Sequence, residues 1–85
     1  MTTSRPLLVV VPAFNEQESI AAVVNQLLAD DHQVLVVDDG STDQTSSVAE
    51  VDGATVLRLP VNLGVDGALR AGFRFAVVHG YRSVV

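Results

Sequence analysis

Hydrophobic residues fall along this chain in two alternating patterns. One is a short continuous block: Leu7–Val11, Gln33–Val37 and Ala54–Leu59 are β-branched or aliphatic almost throughout. Blocks of that length predict strands buried on both faces, as in a parallel sheet. The other pattern has helical spacing. Ile20, Val23, Val24, Leu27 and Leu28 form one stripe, Val48, Ala49 and Val51 a shorter one, and Leu69, Phe73, Ala76 and Val77 a third.

Polar residues and glycines mark the boundaries. Pro12 stops the first block, and Asn15 with Glu18 three positions on predicts a capped helix start. Asp30, Asp31 and His32 end that helix. Ser41 and Gln44 stand at capping-box spacing for a second helix, Asp43 is an acid suited to its first turn, and Asp52–Gly53 is a turn. Pro60 stops the third block, a loop feeds a longer helix that Gly80 ends, and Tyr81–Val85 begins a fourth apolar block. The predicted order is β-α-β-α-β-α-β, an α/β class with a Rossmann-like parallel sheet and right-handed crossovers. Because the sequence stops inside a strand pattern, residues 1–85 are expected to be the first part of a larger α/β domain, cut at its fourth strand.

Composition narrows the function more than the fold. With 48% hydrophobic and 18% charged residues, the chain is globular. Its formal net charge is −5, it contains no lysine, and its arginines are scattered, so nucleic acid and anionic lipid are poor partners. The absence of cysteine excludes disulfides and cysteine-based metal sites. Leu7–Val11 is too short to cross a bilayer, and the N-terminus lacks the pattern of a secretory signal. A cytoplasmic location follows as the expectation.

In an open α/β sheet, ligands bind where the strands end at their carboxyl termini. Three segments fall there: "PAFNE", "DDGSTD" and "NLGVDGA". The turn after the first strand has no glycine, so a dinucleotide fingerprint is excluded, and without lysine a P-loop is excluded too. Haloacid dehalogenase phosphatases and receiver domains carry their acidic pair after the first strand, whereas Asp38 and Asp39 follow the second. A carboxylate only accepts hydrogen bonds, which suits a ribose diol or a base imide and repels a diphosphate. Gly64 and Gly67 lie where backbone could approach a phosphate at a helix start. Each feature also has an ordinary structural explanation: Asp, Gly, Ser and Thr are common in strand-to-helix turns, and Asn15 suits a cap.

Taken together, "VVPAFNEQESI", "VLVVDDGSTDQT" and "RLPVNLGVDGALRAGFRFA", in this order, resemble the opening of a family 2 glycosyltransferase of the GT-A fold. Within that family the likeness is to the polyprenyl- and dolichol-phosphate sugar transferase branch. The resemblance covers residues 7–85. It implies the nucleotide-binding half of an inverting enzyme that moves a sugar from a UDP- or GDP-type donor to an acceptor, such as a lipid phosphate at the cytoplasmic membrane face. Pro12, Ala13 and Phe14 would line the base, and Glu16 would reach the base or ribose. Asp39 would bind the base edge or ribose, with Asp38 supporting the turn. Gly64 would lie near the diphosphate, and Arg70 would face the same pocket.

Two departures qualify the likeness. Family members often carry a cation where this chain has Val65, and glycine where it has Asp66. The D-x-D motif that would hold Mg²⁺ or Mn²⁺, and the later carboxylate that would take the acceptor proton, are both absent, so no residue here is assigned to catalysis or metal. The resemblance therefore predicts a piece that is inactive alone. The alternative is a nucleotide-binding or regulatory half-domain that completes its sheet by dimerising or by docking on a partner through an open edge. A hydrolase would need a nucleophile or metal cluster that the sequence lacks.

Overall fold

The computed structural model describes residues 7–81. Three parallel strands, β1 (Leu8–Ala13), β2 (Gln33–Asp38) and β3 (Thr55–Arg58), lie in the order β1-β2-β3. Helices α1 (Ile20–Ala29) and α2 (Thr45–Val51) link them, and α3 (Gly64–Val78) follows β3. The alternating pattern of the sequence therefore gives the α/β parallel sheet it predicts.

Both faces of the sheet are covered. Val34 and Val36 of β2 pack with Ile20, Val24 and Ala49 beneath α1 and α2. Leu35 and Val37 point the other way and pack with Leu8, Val10, Ala68 and Ala76 beneath α3. The period-two alternation of a strand is the cause: each neighbour in β2 serves the opposite layer, so Val34–Val37 are all apolar. The chain stays on one face for its first two crossovers, then α3 passes to the other face and packs across β1 and β2.

Several boundaries differ from the sequence expectation. β1 runs on through Pro12 to Ala13. Leu7 and Ala13 both turn their carbonyls to β2, accepting from the N–H groups of Gln33 (3.0 Å) and Asp39 (2.8 Å). Pro12 has the opposite parity, so its missing N–H faces away from β2 and no bond to β2 is lost. β3 is shorter than Ala54–Leu59.

Asn15 does not cap α1. It takes a left-handed backbone (φ 54°), and the helix begins at Ile20 with Ser19 at the cap position. Asparagine is among the side chains that tolerate this conformation. Ser41 and Gln44 form no capping box either, because α2 starts at Thr45. Asp43, which lies ahead of the helix, accepts from the Thr45 N–H at 3.0 Å and from the Thr45 hydroxyl.

All three apolar stripes also differ in part. Val23 of α1 is 41% exposed. Val51 is 86% exposed, and the buried side of α2 is Thr45, Ser46 and Ala49. On α3, Phe73 (42% exposed) and Val77 (75%) face out, while Ala68, Gly72 and Ala76 face in. Small residues face the sheet because the helix lies close to it. A Cβ placed on Gly72 would stand 2.5 Å from Val10 Cγ1 and 3.0 Å from Val37 Cγ2. Leu69 and Phe75 complete that layer from its margin. Tyr81 is in no strand and donates its N–H to the Ala76 carbonyl (2.9 Å); the rest of the predicted fourth strand lies outside the described residues.

Candidate functional site

The strand register aligns Ala13, Asp38 and Arg58 in one row at the carboxyl end of the sheet. The segments that follow these residues meet above it. Parity decides what each acid in the pair does. Asp38 continues β2 and turns toward α2, and Asp39 leaves the strand toward α3.

Asp38 is buried (2% exposed), with a hydrogen bond on each oxygen. It accepts from the Ser41 N–H at 2.9 Å and from the Ser46 hydroxyl, which in turn accepts from Arg58 Nε at 3.2 Å. Burial pushes the Asp38 carboxyl up, but the Ser41 and Ser46 hydrogen bonds and the nearby Arg58 guanidinium outweigh it and hold the group below its ordinary value. Asp38 is thus a structural pin for the turn, and it explains why Ser46 is buried.

Asp39 is also buried (4% exposed) but spans to another loop. Its Oδ1 accepts from the Leu63 N–H at 2.7 Å, and its Oδ2 from the Gly64 N–H at 2.9 Å. The carboxylate satisfies two donors at the start of α3, where a negative charge is favoured. Each carboxylate oxygen has a second lone pair, so Asp39 retains capacity for a ligand. Gly40 makes the approach possible: its φ is +79°, and a Cβ there would lie 2.8 Å from the backbone of Val61 and Asn62.

The loop after β1 is tied to the loop after β2. The Asn15 N–H donates to Ser41 Oγ (2.8 Å), and Asn15 Oδ1 accepts from the Thr42 N–H (2.9 Å). The Glu16 N–H donates to Thr45 Oγ1 (2.9 Å), and the Gln44 N–H donates to Gln17 Oε1 (2.9 Å). The Gln17 N–H reaches Asp43 Oδ2 at 3.3 Å. The Thr45 side chain is the main influence lowering the Asp43 carboxyl; it and the backbone N–H bonds outweigh the opposing effect of burial.

These ties leave a hollow of about 300 Å³ walled by Pro12, Ala13, Phe14, Glu16, Asp39 and Val65. It combines a half-exposed aromatic ring, aliphatic walls and one buried carboxylate. It lies at the end of β1, beside the place where the chain changes face, and open sheets bind ligands at such a switch point. Five of the residues singled out from the sequence converge here: Pro12, Ala13, Phe14, Glu16 and Asp39. Asp38 sits behind them, and Gly64 is tied in through Asp39. Arg70 is exposed further along α3 and does not line the hollow. Val65 does line it, which the sequence marked only as a departure from the family pattern. A larger hollow of about 780 Å³ opens between Ser41–Gln44, Ser47 and Arg58–Pro60. Its walls carry no aromatic ring, and no segment from β1 or α3 reaches it.

Among the described residues no three His, Cys, Asp or Glu side chains converge to hold a metal ion. Asp38 turns to Ser41 and Ser46 and Asp39 to Leu63 and Gly64, so the two carboxylates do not converge on one point. No helix among the described residues is long and apolar enough to cross a membrane.

Comparison with known proteins gives the family of the chain. The model of the glycosyl transferase family 2 matches residues 8–78, from the first residue of β1 to the last of α3. The chain belongs to glycosyl transferase family 2. An uncharacterized protein of Methanocaldococcus jannaschii is 38% identical over 93% of this chain and 33% of its own length. The undecaprenyl-phosphate mannosyltransferase of Micrococcus luteus is 35% identical over 93% of this chain and 35% of its own. Among solved structures, the glucosyl-3-phosphoglycerate synthase of Mycobacterium tuberculosis, in complex with Mn²⁺, uridine diphosphate and phosphoglyceric acid, is 34% identical with a TM-score of 0.66. That match covers 78% of this chain and 27% of the synthase. The chain therefore spans between about a quarter and a third of the length of these relatives, and its fold matches part of a GT-A enzyme.

Proposed function

We propose that the hollow at the end of β1 binds the nucleoside of a nucleotide-diphosphate sugar, and that the chain is the nucleotide-binding part of a glycosyltransferase. The observation that carries this reading is the pairing of Phe14 and its aliphatic neighbours with the Asp39 carboxylate across one cavity. A base needs an apolar or aromatic surface against its ring and an acceptor at its N–H edge. Asp39 supplies the acceptor from its free lone pairs, and Pro12, Ala13 and Phe14 supply the surface. Glu16, on the rim, suits the ribose hydroxyls. Gly64 places the backbone at the start of α3, where a Cβ would meet nothing within 4 Å, and so leaves room for the diphosphate.

The donor most consistent with the relatives is a uridine diphosphate sugar, since the mycobacterial synthase was solved with uridine diphosphate. An acceptor phosphate on a polyprenyl lipid matches the Micrococcus luteus relative and would place the protein at a membrane surface. The reaction would be direct displacement at the anomeric carbon with inversion. No step of it is assigned to Asp38 or Asp39.

The test is titration calorimetry with uridine diphosphate against the native chain and Asp39→Asn. An asparagine amide would face a backbone N–H and lose acceptors, so affinity should fall about tenfold while the circular dichroism stays native. Equal affinity in the two proteins would remove Asp39 from the site.

A further inference from the structure

Asn15 contributes no wall to the hollow, yet it has the least ordinary conformation of the loop that does. It is one of two non-glycine residues with positive φ among those described. The other, Asp31, is in the turn after α1, at the far end of the sheet from the hollow. The left-handed backbone of Asn15 falls between Phe14 and Glu16, both of which line the cavity. It reverses the chain there, so that the Asn15 N–H meets Ser41 Oγ while its own Oδ1 receives the Thr42 N–H and, at 3.4 Å, the Thr42 hydroxyl. One residue thus bonds in both directions to the loop that carries Asp39. Asn15 is exposed, so these bonds compete with water and do little for global stability. What they fix is the distance between two walls of one site.

We infer that Asn15 is the positioning residue of the nucleoside site: by clamping the β1 loop to the β2 loop it sets Phe14 and Glu16 opposite Asp39. This rests on the nucleotide reading above, and it deepens that reading by naming what preorganises the pocket. Preorganised loops bind more tightly because less ordering remains to be done on binding. Asn15→Gly keeps the left-handed backbone without strain and loses only the acceptor. Asn15→Asp keeps the acceptor and serves as the conservative rescue.

The test uses amide hydrogen exchange and uridine titration by NMR on the full chain. Uridine is the probe because it carries no diphosphate for the new carboxylate to repel. In Asn15→Gly the Thr42, Glu16 and Gln44 amides should exchange about tenfold faster, while Val36 and Val37 in β2 keep native protection. Uridine affinity should fall about tenfold at an unchanged Tm, and Asn15→Asp should recover both. Uridine affinity within about twofold of native in Asn15→Gly would overturn the inference. So would loss of protection spread evenly over β2 and the loops, or a loss that Asn15→Asp does not recover. If the native chain binds no uridine but local protection collapses and returns as described, the clamp stands and the nucleotide reading falls.

Discussion

Two adjacent carboxylates do different work here because a strand alternates its faces. Asp38 turns toward α2 and bonds to Ser41 and Ser46, and Asp39 turns to the α3 start and bonds to Leu63 and Gly64. The sign of the pH effect follows for Asp38. Its folded value is depressed, so its contribution is complete at neutral pH and is lost as the pH falls below about 4 toward the lower folded value. Urea unfolding at pH 7 and pH 3 should show Asp38→Asn destabilising the chain at the higher pH, with a smaller difference at the lower one. An equal effect at both would mean that the Ser46–Asp38 bond does not depend on the charge. The acidic pair and its neighbours stood out in the sequence as a candidate site. The burial of Thr45 and Ser46 was not legible, because a hydroxyl counts as polar in any periodicity until its carboxylate partner is known: Asp43 two residues ahead for Thr45, and Asp38 in β2 for Ser46.

At the scale of elements, Gly40 and Gly72 set how closely the parts approach. Gly40 combines a left-handed backbone with contact against Val61 and Asn62, whereas Gly64 has the same backbone sign and open space around it. Gly64→Ala should therefore cost about 1–2 kcal/mol from the backbone alone, and Gly40→Ala clearly more, as read from denaturant midpoints. Equal losses would show that the loop can move away from Val61. Gly72→Ala should cost about 1–3 kcal/mol by forcing α3 off Val10 and Val37. The same close packing explains why Phe73 and Val77 were misplaced from sequence, while Leu69 and Ala76 of the same stripe do join the core layer. Phe73 and Val77 are the larger hydrophobes, but only Ala68, Gly72 and Ala76 are small enough to meet the sheet. The Asn15 and Ser41 caps failed for a related reason. Both residues have the chemistry of a cap, and both spend it on each other's loop.

At the scale of the whole molecule, the parallel sheet and its helix order follow from alternating apolar blocks and stripes, a pattern plain in the amino-acid sequence. The convergence of three loops at one end follows as well, because a parallel sheet sends every strand end to the same edge. The shape of the hollow was not readable, since it depends on contacts between residues some 25 positions apart, such as Asp39 with Gly64. The central claim is that a nucleoside occupies this hollow and not the wider groove beside Arg58. An amide NMR titration of the native chain with uridine diphosphate tests it most directly. The account predicts the largest saturable shifts at Ala13, Phe14, Glu16, Asp39 and Val65. Shifts centred on Thr42, Ser47 and Arg58, with the first group unmoved, would contradict it.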